Sequence, residues 1–145
     1  MNHAPANLSA SAVMPAVTLR VKLDTRSYDI HIGAGLLDDV SSIVKAAVRS
    51  RLMIVSNTTI FPLYGEALTT RLREAGEDVV TAILPDGEIH KDWQTLNNIF
   101  DALIEHACDR QTVLIALGGV VIGYMVGFAA ATYQRGIPFI QVPTT

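Results

Sequence analysis

Strand-length apolar runs that alternate with amphipathic helical stretches predict an α/β fold. The expected form is a Rossmann-like, mostly parallel sheet with flanking helices, preceded by an N-terminal antiparallel hairpin. Three observations carry this. The runs Leu52-Met53-Ile54-Val55, Val79-Val80-Thr81-Ala82-Ile83-Leu84 and Val113-Leu114-Ile115-Ala116-Leu117 are nearly all apolar, as strands covered on both faces require. Each is followed by a stretch with helical spacing. The third run enters Gly118-Gly119 directly and continues into small and apolar residues at helical length. That strand–glycine turn–helix arrangement lets a phosphate approach backbone amides at a helix N-terminus, because glycine has no Cβ and the first helical N–H groups lack partners.

Composition sets the outer limits. With 145 residues the chain fits one domain with a real core, and 50% hydrophobic against 17% charged residues argues against disorder. A net charge of −3 gives no reason to expect a nucleic-acid or anionic-membrane partner. The single cysteine, Cys108, cannot form an internal disulfide and fits a reducing compartment. No apolar run reaches the roughly 18 residues of a membrane span, and residues 1–15 have neither a basic start nor a long apolar core. The expectation is a cytoplasmic protein with a flexible segment at 1–15 and an α/β domain over 16–145.

In chain order, Val17-Thr18-Leu19-Arg20-Val21-Lys22-Leu23 and Tyr28-Asp29-Ile30-His31-Ile32-Gly33 alternate apolar with polar around the turn residues Asp24-Thr25-Arg26-Ser27, which predicts a hairpin of half-buried strands. Leu36, Leu37, Val40, Ile43, Val44 and Ala47 mark one face of a helix. The strand at Leu52 ends in Ser56-Asn57-Thr58-Thr59, and Pro62 fits the first turn of the next helix. That helix should bury Phe61, Tyr64, Leu68 and Leu72 and end at Gly76. After the strand 79–84 and the break at Pro85-Asp86-Gly87-Glu88, Asp92 should cap a helix carrying Trp93, Leu96, Ile99, Phe100, Leu103 and Ile104 inward. Ile137-Pro138-Phe139-Ile140-Gln141-Val142 reads as the last strand. A sheet of five or more strands follows, mostly parallel from Leu52 onward, with the run at 113–117 in its interior.

In such sheets ligands bind beyond the carboxyl ends of the strands. Polar or glycine residues stand at four successive ends: Asn57, Asp86-Gly87-Glu88, Gly118-Gly119, and Thr144-Thr145. Asn57 and Asp86-Gly87 are also common turn formers. Glu88 and Lys91 place opposite charges on one loop, where a surface ion pair adds little stability. Arg135 is either a solvated loop charge or a grip for carboxylate or phosphate. His90 and His106 are lone, so neither is read as a metal ligand; Cys108 has no base beside it and reads as inert. Trp93 and Tyr124 read as packing residues rather than stacking platforms.

Taken in order, these residues resemble the 3-dehydroquinate synthase family of the shikimate pathway. The resemblance rests on Leu84-Pro85-Asp86-Gly87-Glu88 with Lys91, on Leu117-Gly118-Gly119, on Gly127-Phe128-Ala129-Ala130-Ala131, on Tyr133-Gln134-Arg135-Gly136 and on Gln141-Val142-Pro143-Thr144-Thr145. It covers nearly all of the chain from about residue 17. A fragment of an iron-type alcohol or glycerol dehydrogenase relative is an alternative, since these share the fold and a glycine-rich turn, but they are not expected to combine the Tyr-Gln-Arg-Gly and Pro-Thr-Thr elements.

The resemblance implies NAD across the strand ends. It also implies a lyase that oxidises, eliminates phosphate, re-reduces and closes a ring in aromatic amino-acid (chorismate) biosynthesis. By position, Asn57, Asp86, Gly87, Glu88 and Lys91 would lie on the adenosine side. Gly118, Gly119, Val120, Gly123 and Tyr124 would follow the pyrophosphate towards the nicotinamide, Thr144 and Thr145 would touch the cofactor, and Arg135 would face substrate. No residue is assigned as catalytic or as a metal ligand here. In the family a divalent metal such as zinc or cobalt is held by a later, helical domain, and this sequence stops at Thr145 before any such domain. The expected reading is an NAD-binding fragment inactive by itself, with a homodimer as a candidate assembly.

Two positions depart from the family turn, which has a third glycine and an aspartate where Val120 and Tyr124 stand. Valine penalises a positive φ and crowds a pyrophosphate. Tyrosine removes a carboxylate and adds a ring near the nicotinamide end. These two changes favour an alternative, a non-catalytic α/β module that has lost its ligand and serves self-association.

Overall fold

The computed structural model describes residues 14–47 and 51–145. Most of the segment expected to be flexible, 1–15, lies outside them. The chain divides between Asp39 and Val40 into two compact units.

In the first unit, strands β1 (Val17–Val21) and β2 (Tyr28–Ile32) form an antiparallel pair with Leu19 opposite Ile30. Cross-strand pairs fix the register: Arg20 bonds Asp29 at 3.0 Å, and the Thr18 hydroxyl meets the His31 ring at 3.0 Å. The hairpin is as expected, but its burial is not. The apolar positions Val17, Leu19, Ile30 and Ile32 all remain exposed, since two strands alone have too little surface to bury a face.

The helix expected from Leu36 onward begins only in the second unit, at α1 (Ser41–Ala46). Gly35, at φ +72°, starts a turn instead, with the Asp38 N–H bonded to its carbonyl at 2.9 Å. The sheet then follows as β3 (Leu52–Asn57), β4 (Val79–Leu84), β5 (Val113–Gly118) and β6 (Phe139–Pro143), all parallel, in the order β4-β3-β5-β6. Among the described residues it has four strands rather than five or more, since the two hairpin strands pair with each other. The run at 113–117 is interior, as its continuous apolarity requires.

Three helices complete the crossovers: α2 (Glu66–Glu74), α3 (Trp93–Glu105) and α4 (Val120–Thr132). Moving from β3 to β4 and then back past β3 to β5 reverses direction, so right-handed connections place α2 on one face and α3 with α4 on the other. The α3–α4 side holds the main core, where Met53, Val55, Leu114 and Ala116 pack with Leu96, Ile99, Leu103, Ile122 and Val126. The opposite side presents Leu52, Ile54, Ile115 and Leu117, and α2 contributes Leu68 and Leu72, all fully buried.

Local chemistry sets the helix ends. Gly76, at φ +90°, closes α2, with the Glu77 N–H returning to the Leu72 carbonyl at 3.0 Å. Asp92 caps α3 by accepting the Thr95 N–H at 2.8 Å, and that bond holds its carboxyl below the usual carboxylate range. Three residues expected inside are exposed: Tyr64, Trp93 and Ile104. Trp93 and Ile104 stand at the margins of the α3 stripe, whereas Tyr64 lies ahead of α2 in the wider π-helical turn Phe61–Gly65, where the expected helix does not keep α-helical phase.

Candidate functional site

The order β4-β3-β5-β6 puts a topological switch between β3 and β5, and ligands of open α/β sheets bind outside the strand ends at such points. Here β5 ends in Gly118 and α4 starts one residue after Gly119. An added Cβ on Gly118 would meet Ile122 Cγ1 at 2.9 Å, so only glycine lets the chain turn this tightly against α4. No side chain caps α4, which leaves its first N–H groups for a ligand or water. The Thr144 N–H bonds the Gly118 carbonyl at 3.1 Å, tying the end of β6 to the turn. The Thr144 hydroxyl oxygen is buried without a partner.

A groove of about 230 Å³ opens here, lined among others by Gly118, Gly119, Val120, Gly123, Tyr124 and Thr145. The sequence reading named all six. It missed Ala116, Gln141 and Pro143 in the same wall. The pairings Ala116–Gln141 and Gly118–Pro143 set these side chains on one face of adjacent strands, and period-two alternation along β6 was the signal for them.

Val120 opens α4 and is not among the non-glycine residues with positive φ, so the conformational objection to valine does not apply. What remains is bulk, since its side chain is exposed on the groove. Tyr124 is not a packing residue: it is 61% exposed, and the Lys91 ammonium lies 4.8 Å from its ring centroid. Lys91 also meets Glu88 at 3.6 Å, so the β4–α3 loop reaches over to α4 at the mouth of the groove. Trp93 is likewise exposed, edge-on to Phe128 at 5.6 Å.

Asn57 and Asp86 are engaged with each other. The Asn57 side-chain amide donates to Asp86 Oδ1 at 3.0 Å, while its carbonyl oxygen accepts the Thr59 and Ile60 N–H groups at 3.1 and 2.8 Å. The Thr59 hydroxyl donates to Asp86 Oδ2 at 2.7 Å. This web fixes the ends of β3 and β4, and Thr59 was not anticipated in it. Gly87, at φ +117°, takes a backbone conformation that a side chain would strain, and so sends the loop outward to Glu88 and Lys91.

Arg135 is not brought to this place. It follows α4, whose 13 residues run back along the sheet for about 20 Å. The neighbouring Tyr133 hydroxyl bonds the Cys108 carbonyl at 2.7 Å, just before β5 begins. Arg135 therefore sits at the amino ends of the strands, with φ +68° after Gln134 at φ +45°. At that end Arg51 bonds Asp78 at 2.7 Å and the His106 carbonyl, and the Cys108 thiol is buried and pushed up by desolvation. Among the described residues no group of three His, Cys, Asp or Glu could hold a metal, and no helix is long and apolar enough to cross a membrane.

Sheet order, crossovers and the glycine turn define a doubly wound α/β domain with its crevice at the carboxyl edge. Within that class, residues 81–145 match the family described as 3-dehydroquinate synthase N-terminal. A crystal structure of 2-deoxy-scyllo-inosose synthase superposes with a TM-score of 0.77 at 25% identity, over 89% of this chain and 36% of that one. The same synthase complexed with carbaglucose-6-phosphate, NAD+ and Co2+ gives 0.73 at 25% identity, over 89% and 35%. A 2-epi-5-epi-valiolone synthase from Streptomyces hygroscopicus subsp. jinggangensis 5008, with NAD+ and Zn2+ bound, gives 0.68 at 30%, over 76% and 30%. The likeness is to dehydroquinate-synthase-like proteins as a group, and the chain spans about a third of the length of these structures.

Proposed function

We propose that this chain is the NAD-binding domain of a dehydroquinate-synthase-like sugar phosphate cyclase. The observation that carries this is the uncapped start of α4 behind Gly118-Gly119, at an interior strand end beside the switch point. A diphosphate fits there, because the turn admits close approach and the free N–H groups face negative charge. Thr144 and Thr145 would add contacts, with the unpartnered Thr144 hydroxyl as a ready donor. Asn57, Asp86 and Gly87 would shape the adenosine side, and Glu88 and Lys91 would border it. A bound nicotinamide would supply hydride transfer; the residues here bind and orient. A divalent cation such as zinc or cobalt would belong to the larger enzyme.

The finer reading, 3-dehydroquinate formation in the shikimate pathway, is supported by the family match over residues 81–145. On this reading these 145 residues alone do not release phosphate from substrate. Arg135 could face substrate only in a second copy's groove, given its distance along α4, so its role is tied to a homodimer.

Calorimetric titration of the chain with NAD+ and with ADP tests the assignment. Saturable binding of either, lost on Gly119→Val, is expected. Absence of binding by both overturns it. The second reading, a module that has lost its ligand, is favoured by Val120 and Tyr124 on the groove and predicts that absence.

A further inference from the structure

Most of the groove wall is backbone or hydrocarbon. Among the described residues that line it, only Tyr124, Gln141 and Thr145 carry a hydrogen-bonding side chain. Gln141 alone brings two N–H donors and a carbonyl acceptor on one group. It stands exposed in β6, whose other residues, Phe139, Ile140, Val142 and Pro143, are apolar.

Packing gives no reason for an amide at this position. Phe139, two residues earlier on the same strand face, sets its ring against Gly127, 3.8 Å from where a Cβ would lie. Gln141 lies against Gly123 in the same way, its amide nitrogen 3.5 Å from the corresponding point. An apolar side chain there would bury more hydrocarbon against α4. Among the described residues the Gln141 amide has no hydrogen-bond partner in the protein, so it is not engaged in holding the fold.

Its place beside α4 bears on the ligand. The Gly123 N–H closes the first turn of the helix on the Gly119 carbonyl at 3.1 Å, so the amide lies beside the turn whose N–H groups are uncapped. The Ala116–Gln141 pairing sets its Cα two residues short of the Gly118–Pro143 pair. That is about 7 Å along the strand, a distance that an extended glutamine and one hydrogen bond cover. The amide can turn end for end, and a phosphate oxygen selects its donor end.

We propose that Gln141 is a phosphate-contacting residue of the nucleotide site, its carboxamide N–H donating to a phosphate oxygen held at the start of α4. This rests on the nucleotide-site reading above and adds a side chain to the backbone cradle.

Titrations with ADP and with adenosine, which differ only in the phosphates, test this by calorimetry and by the Gln141 side-chain NH2 resonances in 1H–15N NMR spectra. ADP should shift these resonances to saturation, and adenosine should not. Gln141→Met, which keeps the length without the donors, should bind ADP about tenfold more weakly. Gln141→Glu, which puts a carboxylate against the phosphate, should weaken ADP binding further. Resonances unmoved by saturating ADP, equal shifts with adenosine, or Gln141→Met binding ADP within about twofold of the parent each overturn the proposal and leave the nucleotide site standing. Absence of ADP binding by the parent overturns the nucleotide site, and this inference with it.

Discussion

The two edges of the parallel sheet are built from similar residue types and use them differently. At the amino edge, polar side chains close on the protein itself. Arg51 meets Asp78 and the His106 carbonyl, and Tyr133 and Gln134 both donate to the Cys108 carbonyl. At the carboxyl edge the web of Asn57, Thr59 and Asp86 is equally closed, but a few ångströms of chain further on the pattern changes. There α4 is uncapped, the Thr144 hydroxyl is unpartnered, and Glu88 and Lys91 share only a long, exposed pair. Each edge keeps a buried hydroxyl without a partner, Thr112 at the amino edge and Thr144 at the carboxyl edge, so a ligand site is read from the uncapped start of α4 behind the glycine turn, not from the count of polar groups.

Substitutions can break this comparison or sharpen it. The largest effect is expected for Gly118→Ala, whose new Cβ would press on Ile122 Cγ1 at 2.9 Å. Overpacking at a tight turn costs about 1–3 kcal/mol, so chemical denaturation should show that loss together with loss of nucleotide binding. Next, Asp86→Ala strips partners from the buried Asn57 amide and the Thr59 hydroxyl. A loss of about 1–2 kcal/mol is expected, with weaker binding because the β4–α3 loop is no longer held. Tyr133→Phe removes one bond at the amino edge. It should cost about 1 kcal/mol and leave nucleotide affinity unchanged; a change in affinity would mean that the edges are not separable. The smallest stability effect belongs to Lys91→Ala, within about 0.5 kcal/mol for an exposed pair. Its signature is in titration, as a severalfold drop in ADP affinity that shrinks as salt is raised.

Much of this was legible in the sequence. The strand Val79–Leu84, the Asp92 cap and the Gly76 terminator follow from local chemistry and stand where expected. What local pattern could not supply was sheet width. Trp93 and Ile104 keep helical spacing yet stay exposed, because four strands cover only part of the stripe, and Tyr64 falls in a π-helical turn that the spacing did not reveal. The residues that line the groove were legible where they stand at the end of β5 or β6 or in the first turn of α4. Arg135 was read apart from the strand-end residues, as facing substrate, and a helix that returns along the sheet delivers its last residues to the opposite edge. Gln141 escaped notice for the converse reason, since its place beside Ala116 comes from strand pairing, not sequence proximity.

The central claim is that phosphate binds at the start of α4 and nowhere on the opposite edge. Backbone-amide NMR during titration with ADP tests it most directly. The account predicts saturable shifts in the amides of Gly118, Gly119, Val120 and Val121, with those of Cys108, Tyr133 and Gln134 unmoved. Shifts centred on the amino edge, or none at the glycine turn, would contradict it.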